Sequence, residues 1–418
     1  MKILWLKTEL LHPVDKGGKI RTYAMLREIA KQHEVTYLTL DDGGAAPDAV
    51  EKASEYCSRL ERVAFDPAER GSVGFYGDLL ANLLSPLPYA IARYRSRAFG
   101  DRVRELVGDG DFDVLVCDFL TPAVNLPRDL GVPTVLFQHN VEAEIWRRHT
   151  DVRKDPLSRA YFREQFRRMR AFEAEECRRF DLVVAVSESD ARHFVREYGV
   201  EGAVDIPTGV DVGYFTRRPD APPKTRGNMV FTGSMDWMPN EDGIRWFVEA
   251  VLPLVRNRVP GASLTVVGRN PPASIVALGE RDDAVLVTGR VPDVRPYLES
   301  GSVFVVPLRV GGGTRLKIYE GMSMGLPVVS TTVGAEGLPL VDGEHLILAD
   351  SAQGFADACV ALLNDPARAG SMGDHGAAYV RSQFSWSSVA ARFVELCHSI
   401  RPTGQDSAGR HSLNHVSL

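Results

Sequence analysis

The sequence predicts an α/β protein with two doubly wound domains, each built on a buried parallel sheet. Near the start, a short apolar strand at residues 2–6 is followed by a loop, a segment of helical spacing at 20–31 and a second strand at 35–40. The same order returns in the second half, with strands at 229–232 and 263–267. Two such beginnings within 418 residues indicate two Rossmann-like domains.

Short apolar runs supply the remaining strands. Three are predicted in the first half and three in the second, at 114–117, 134–137, 182–186, 284–287, 303–306 and 328–330. Between the first two strands of the second domain we expect a loop at 234–242 and a helix at 243–255. Residues 217–227, rich in Pro, Arg and Lys, are the best linker candidate, and 386–400 has the spacing of a final helix.

The most informative motif is a triple glycine that opens into a short helix. Glycines let an anion approach the backbone closely, and a helix N-terminus presents unpaired N–H groups. Arg315 and Lys317 could neutralise a diphosphate, and Glu320, one turn further on, could accept hydrogen bonds from sugar hydroxyls. The motif therefore predicts a nucleotide diphosphate site. The alternative interpretation is an ordinary turn followed by a solvated helix face.

The same run, Gly-Gly-Gly-Thr-Arg-Leu-Lys-Ile-Tyr-Glu, resembles the donor-site signature of family-4 retaining glycosyltransferases of the GT-B fold. Glu320 matches the second of that family's two glutamates, whereas Gly312 stands where the first would be. Segments 13–21, 137–140 and 208–211 resemble further family motifs in the expected order. Segments 231–240 and 289–298 are most similar to sugar transferases of bacterial exopolysaccharide clusters.

The resemblance implies a GT-B architecture in which two Rossmann-like domains face a cleft. It assigns residues 1–214 to an acceptor-binding domain and 215–380 to a nucleotide-sugar-binding domain. A C-terminal helix at 381–400 returns to the first domain, and 401–418 is expected to be disordered.

The resemblance also implies a set of site residues. The expected catalytic residues are Arg315, Lys317, Glu320 and His139, and the expected acceptor-binding residues are Gly17, Gly18 and His139, with both glycines in a loop. The expected donor-binding residues are Gly233, Ser234, Val291, Gly311, Gly312, Gly313, Thr314, Arg315, Lys317 and Glu320.

One departure from the family concerns the loop after the first strand of the second domain. Many members place an arginine and a lysine there against the donor diphosphate. In this chain Ser234 directly follows Gly233, and Pro-Asn-Glu-Asp fills 239–242, where the lysine would be. We therefore expect Arg315 and Lys317 to take over that role.

The predicted function is retaining transfer of a sugar from a nucleotide diphosphate sugar to a glycan, lipid-linked or small-molecule acceptor in polysaccharide or glycoconjugate biosynthesis. No cofactor or metal is expected. One alternative is a nucleotide-sugar-binding protein without turnover. Another is a nicotinamide-dependent oxidoreductase, since the first strand, Gly17, Gly18 and Asp41 imitate a dinucleotide site, although GxGxxG is missing.

Composition narrows the class of partner and the compartment. A net charge of −6 argues against nucleic acid as a partner. The five cysteines are far apart in sequence, without metal-ligand spacing, and neither a signal peptide nor a membrane-spanning segment is evident. These features predict a cytoplasmic protein. The arginine-rich segment 93–104, with little acid to offset it, is a candidate for contact with an anionic membrane surface at the inner face of the membrane or with a lipid diphosphate acceptor.

Overall fold

The computed structural model describes residues 1–69, 71–153, 155–311 and 315–400. The chain divides into two compact units: unit 1 comprises Met1–Pro207 and the chain from Ala390 onward, and unit 2 comprises Thr208–Val389. Segment 217–227, the predicted linker, lies within unit 2. The tail at 401–418 lies outside the described residues.

Unit 1 is built on a seven-stranded, fully parallel sheet with the strand order β3-β2-β1-β4-β5-β6-β7. Its central strands are continuous apolar runs because helices cover both faces of such a sheet. The strands are β1 Lys2–Lys7, β2 Glu34–Asp41, β3 Arg59–Ala64, β4 Val114–Asp118, β5 Thr134–Phe137, β6 Leu182–Ala185 and β7 Ala203–Asp205.

Helices between the described residues Gly17 and Tyr198 accompany the sheet of unit 1. They are α1 Gly17–Ile29, α2 Val73–Asn82, α3 Tyr89–Ala92, α4 Arg97–Asp109, α5 Glu142–Val152, α6 Pro156–Arg179 and α7 Glu188–Tyr198. Gly17 and Gly18, predicted in a loop, are the first two residues of α1. That prediction was wrong because the apolar spacing on which it relied begins only after these two residues.

Unit 2 repeats the plan with a six-stranded parallel sheet in the order β10-β9-β8-β11-β12-β13. Its strands are β8 Asn228–Thr232, β9 Ser263–Val267, β10 Val285–Val287, β11 Val303–Val306, β12 Val328–Ser330 and β13 Ile347–Leu348. Its helices are α8 Met238–Trp246, α9 Leu252–Arg256, α10 Ala273–Arg281, α11 Arg295–Ser300, α12 Leu316–Ser323, α13 Ala352–Asn364 and α14 Pro366–Phe384.

The helix predicted at 243–255 starts earlier and is interrupted. Helix α8 begins at Met238, inside the predicted loop, with Pro239 in its first turn, where the missing N–H costs nothing. A π-helical turn at Phe247–Val251 then separates α8 from α9. Pro253 in the first turn of α9 accounts for the break, because proline cannot donate the hydrogen bond that would continue a regular helix.

The last helix, α15 (Trp386–Ser399), starts in unit 2 and belongs to unit 1 from Ala390 onward. Within unit 1, the Phe393 ring packs against Trp5, with centroids 5.5 Å apart, and against Phe137 at 5.3 Å. Its apolar face is therefore part of the first core. Among the described residues, no helix combines the length and apolarity needed to cross a bilayer.

The sequence therefore predicts the two doubly wound sheets correctly. Strands β5, β9, β11 and β12 occupy the predicted residues; β2 is longer than predicted by one residue at each end, and the other predicted strands differ by one residue at one end. Strands β3, β7 and β13 were not predicted. They lie at or near sheet edges and are half-exposed, so they lack the apolar run that marks a central strand.

Candidate active site

Unit 2 contains a cavity of about 770 Å³ at the carboxyl ends of its first strands. Parallel α/β sheets place ligands at this edge, where strand order reverses; here β8 lies between β9 and β11. The lining residues come from the ends of β8 and β9, the segments before α8 and α11, and the start of α12. Among the predicted donor-site residues, the cavity brings together Gly233, Ser234, Val291, Arg315, Lys317 and Glu320.

Lys317 is held against the end of β8. Its Nζ donates a hydrogen bond to Asn240 Oδ1 at 2.8 Å and lies 4.1 Å from the centroid of the Phe231 ring. Gly233 leaves the required space, since a Cβ there would lie 2.6 Å from this Nζ. Burial lowers the pKa of Lys317 to about 7, although Glu320 acts in the opposite direction. The Lys317 ammonium, which faces the cavity, is thus poorly solvated. A bound anion would stabilise its charge.

Glu320 lies one turn further along α12 and also lines the cavity. Burial raises the pKa of its carboxyl group to about 7, and Lys317 opposes that shift. No side chain of the described residues donates a hydrogen bond to this carboxylate, and no ion pair joins it to Lys317. The carboxylate can therefore accept hydrogen bonds from a ligand in the cavity.

Arg315 is the residue that precedes α12 and caps its start. Its side chain is buried, with the guanidinium 5.2 Å from the centroid of the Trp237 ring. Burial lowers the pKa of Arg315, and Glu336 opposes the shift. The guanidinium is charged because arginine is not deprotonated in proteins. Arg315 therefore adds a second positive charge to the cavity wall beside Lys317.

Gly311 is the one residue of the triple glycine that lies within the described residues. Gly311 has a φ of +109°, and a Cβ there would lie 2.9 Å from Pro239 Cγ, so it packs against the start of α8 and does not line the cavity. Gly312, Gly313 and Thr314 lie outside the described residues. Helix α12 begins only at Leu316, after the glycines. The prediction that the helix opens directly from the glycines was wrong, because Arg315 has non-helical backbone angles.

Two arginines in the cavity wall escaped the sequence analysis. Arg269 follows β9, and its Nε donates a hydrogen bond to Ser234 Oγ at 2.9 Å. Ser234 in turn donates to Asp236, and Asn270 also binds Asp236 at 3.0 Å, so the two loops are tied together. Arg290 lines the cavity after β10. Both arginines come directly after a glycine that follows a strand, and this repeated pattern was the available signal.

In unit 1, Gly18 and His139 meet through Phe119. The His139 ring stacks on the Phe119 ring with centroids 3.9 Å apart, and a Cβ on Gly18 would lie 2.7 Å from Phe119 Cζ. Phe119 has a φ of +71°, an uncommon conformation for a bulky residue and a sign of local strain. Gly17 is exposed at the start of α1. The predicted acceptor residues thus share one region, but only Gly18 and His139 touch the same side chain.

A buried carboxylate orients His139. Asp118 Oδ1 lies 2.7 Å from His139 Nε2, while Oδ2 accepts hydrogen bonds from Trp5, Lys7 and Thr22. Burial would raise the pKa of Asp118, but Lys7 and His139 together hold it well below its usual range. Burial lowers the pKa of His139 to about 4, so the ring is neutral at pH 7. Its proton is assigned to Nε2, beside the carboxylate, which leaves Nδ1 as an acceptor. Among the described residues, Nδ1 has no hydrogen-bond partner.

The arginine-rich segment 93–104 is better neutralised than its sequence indicated. Arg102 binds both Glu61 and Glu105, and Arg104 binds Asp101 at 2.7 Å. Glu61 comes from β3, a strand that sequence analysis missed. These ion pairs offset part of the positive charge of the segment, and its contact with a membrane stays a prediction.

Comparisons with known proteins agree with this geometry. A family model described as Glycosyltransferase Family 4 matches residues 16–214, and one described as Glycosyl transferases group 1 matches residues 226–365. The chain belongs to the glycosyltransferases. The two matches together cover most of its length, one in each half.

Curated relatives of this glycosyltransferase include two enzymes of Mycolicibacterium smegmatis. A GDP-mannose-dependent alpha-(1-6)-phosphatidylinositol monomannoside mannosyltransferase is 27% identical over 54% of this chain, which spans just 64% of that relative. A phosphatidyl-myo-inositol mannosyltransferase is 26% identical, with 76% of this chain and 80% of the relative covered.

Solved structures share the GT-B fold of this glycosyltransferase. Sucrose-phosphate synthase from Thermosynechococcus elongatus superposes with a TM-score of 0.62 at 18% identity, covering 95% of this chain and 98% of that one. HepE from Anabaena in complex with UDP and glucose has a TM-score of 0.60 at 14% identity, with coverages of 96% and 100%. At these identities the likeness establishes the fold alone.

Metal independence stays a prediction for this glycosyltransferase. Within the part of the chain that the structure describes, no three His, Cys, Asp or Glu side chains are grouped as metal ligands would be. The five cysteines are buried free thiols.

The Asp118 network predicts a large loss of stability on substitution. Asp118→Asn removes the charge that compensates the buried Lys7 and should lower the free energy of unfolding by about 3 kcal/mol. Chemical denaturation followed by circular dichroism measures this value. Asp101→Asn, at a half-exposed surface bridge of α4, is the control and should change stability by less than about 1 kcal/mol. Equal effects of the two variants would contradict the assignment.

Proposed function

We propose that this glycosyltransferase retains the anomeric configuration while moving a sugar from a nucleotide diphosphate sugar to a lipid-linked or glycan acceptor in glycoconjugate biosynthesis. One observation carries the proposal. A single cavity of unit 2 is lined by Lys317, Arg315, Arg269 and Arg290 together with Glu320. Its volume of about 770 Å³ is in the range of sites for ligands of this size.

The cluster of cations suits a diphosphate leaving group. Negative charge builds on the diphosphate as its bond to the sugar breaks, and fixed positive groups in a poorly solvated site stabilise that charge most effectively. Lys317 approaches as a point charge, while Arg269 keeps guanidinium nitrogens beyond the Nε that binds Ser234. In this proposal Glu320 accepts hydrogen bonds from the ribose hydroxyls.

The carboxylate inventory of the cavity supports a front-face route to retention. Glu320 is the one carboxylate among the described residues that line it. A double displacement needs two carboxyl groups about 5 Å apart, one of them acting as nucleophile. With Glu320 assigned to the ribose, the described part of the cavity has no carboxylate for that purpose. The resemblance to retaining family-4 enzymes points the same way.

Unit 1 offers a matching role for His139 in acceptor or sugar recognition. Its Nδ1 accepts no hydrogen bond from the part of the chain that the structure describes, and it could receive one from a hydroxyl group. Two of the relatives carry names that specify phosphatidylinositol-based acceptors. On that basis we propose a lipid-linked acceptor for this chain.

Helix α2 provides a surface for peripheral membrane contact. The exposed apolar side chains of α2 and of the turn that follows it recur at three- and four-residue intervals, and two of them, Val73 in the helix and Leu84 in the turn, are more than 90% exposed. The others are Tyr76, Leu80 and Leu83. A short helix with an exposed apolar face is suited to lie in the interfacial region of a bilayer. This surface is a second candidate for membrane contact, in addition to the arginine-rich segment.

Loss of a cation from the cavity should slow donor turnover. Lys317→Ala and Arg269→Ala each remove a charge-assisted contact of about 1.5–3 kcal/mol, so kcat/KM should fall by about one to two decades. UDP-glucose, GDP-mannose and ADP-glucose would be tested as donors, with release of the nucleoside diphosphate as the readout. Lys224→Ala is the matched control, because Lys224 binds the Gly325 carbonyl away from the cavity.

Three outcomes would count against the proposal. Near-normal turnover in Lys317→Ala would remove the ammonium from the mechanism. Tight nucleotide binding without transfer to phosphatidylinositol vesicles, other glycolipids or water would favour a binding protein, and a response to nicotinamide dinucleotides alone would favour the oxidoreductase.

Removal of apolar side chains from α2 and the turn that follows it should weaken binding to vesicles. In the double variant Leu80→Ser/Leu84→Ser, each lost leucine contact is worth about 1.5 kcal/mol, so the partition coefficient should fall about a hundredfold. Flotation with phosphatidylcholine/phosphatidylglycerol vesicles measures it. Leu286→Ser, at an exposed position of unit 2, is the control. Equal flotation of the double variant and the wild-type chain would exclude α2 as the contact.

A further inference from the structure

We infer that Asn240 is a positioning residue that holds the Lys317 ammonium at the cavity wall without neutralising it, so that its charge is available to the donor diphosphate. The inference rests on the proposed function, because it assigns a purpose to a charge in the proposed donor site. Asn240 does not line the cavity itself. It therefore acts through Lys317.

The hydrogen bonds of Asn240 fix the orientation of its amide group. Its Nδ2 donates to the Ser234 carbonyl oxygen at 2.7 Å, and its Oδ1 accepts from Lys317 Nζ at 2.8 Å. A flipped amide would place NH₂ against the ammonium and oxygen against the carbonyl, and both contacts would be repulsive. Asn240 is just 3% exposed, so water cannot readily replace either contact.

The acidic neighbours of Asn240 on α8 are engaged elsewhere. Glu241 pairs with Arg245, and Asp242 pairs with Arg309. The α8 side chain that reaches Lys317 is thus the neutral one. An aspartate at this position would form an ion pair with the ammonium and cancel much of its charge, whereas an alanine would leave a buried N–H donor unsatisfied.

The surroundings of Lys317 contain few opposing charges. From β8 and the segment after it, Phe231 and Gly233 face it, and both are neutral. On the segment of Lys317 itself, Glu320 raises the pKa of Lys317 and Arg315 lowers it. Arg269 and Arg290 line the same cavity. No carboxylate of the described residues lies within ion-pair distance of Nζ. The site is therefore left with net positive charge when Lys317 is protonated.

A double-mutant cycle tests whether Asn240 acts through Lys317. Binding of UDP, GDP and ADP would be measured by calorimetry at pH 6.5 in the wild-type chain, Asn240→Ala, Lys317→Ala and the double variant. For the nucleotide that binds most tightly, we expect Asn240→Ala to weaken the affinity by about tenfold. In the Lys317→Ala background the same substitution should change the affinity by less than about twofold. Equal effects in both backgrounds would overturn the inference.

Asn240→Asp separates positioning from general damage to the fold. The new carboxylate should raise the pKa of Lys317 above its present value of about 7 while weakening nucleoside diphosphate binding at low pH. In the wild-type chain affinity should decline as pH rises through the pKa of Lys317, because the ammonium loses its proton. In Asn240→Asp that decline should move to higher pH. An unchanged pH profile would contradict a positioning role.

A measurement on the ligand-free protein distinguishes failure of this inference from failure of the proposed function. NMR of ¹³Cε-labelled lysine, with the Lys317 signal identified from Lys317→Arg, follows the titration in the free protein. A raised pKa in Asn240→Asp together with no nucleotide binding by the wild-type chain would refute the donor site but keep the Asn240–Lys317 contact. Nucleotide binding that depends on Lys317 but not on Asn240 would refute the inference alone.

Asn228→Ala is the matched control for loss of a buried asparagine. Asn228 is 5% exposed at the opposite end of β8, where it accepts a hydrogen bond from Thr265. This substitution should lower stability without changing the pH dependence of nucleotide binding. A shift in that dependence equal to the one in Asn240→Asp would indicate a global effect and overturn the assignment.

Discussion

A partly buried ammonium that has no carboxylate partner among the described residues determines the character of the carboxyl edge of the second sheet. Lys317 lies against Gly233 and the Phe231 ring, and its hydrogen-bond acceptor is the neutral amide of Asn240. Removing a charge from water is costly unless an opposite charge or a ligand compensates it. The geometry therefore favours an anion in the cavity, and the surrounding arginines strengthen that preference.

Unit 1 uses the same kind of residue for a different purpose. Lys7, at the end of the first strand, is almost fully buried, but its Nζ lies 2.8 Å from the Asp118 carboxylate. Because the two charges compensate each other, the Lys7–Asp118 pair serves to hold the surrounding side chains in place. The main one is His139, whose Nε2 binds the other carboxylate oxygen. Two similar sheets thus each hold a lysine at the edge where α/β proteins place ligands. In unit 1 the lysine supports a histidine, and in unit 2 it faces the cavity.

Local signals were sufficient for the architecture and for part of the site. Buried parallel strands are continuous apolar runs, so the central strands could be located, and Lys317, Glu320 and Ser234 belong to motifs with recognisable spacing. Arg269, Asn240 and Asp118 were missed because their roles depend on contacts with residues that are distant in the sequence, namely Ser234, Lys317 and His139. The same limitation made segment 93–104 look unbalanced, since its partner Glu61 comes from a half-exposed strand.

The second domain's missing loop cations can be understood from these contacts. Family members with a lysine in the loop after the first strand bring positive charge from that side, whereas here Asn240 occupies the segment and the ammonium comes from α12. If position 240 also carried a lysine, two ammonium groups would lie close together around Gly233. Space there is limited, because a Cβ on Gly233 would lie 2.6 Å from Lys317 Nζ. We therefore interpret Asn240 and Lys317 as a pair, in which the neutral amide binds the ammonium without cancelling its charge. In the proposed donor site, the departure from the family pattern relocates the positive charge instead of removing it.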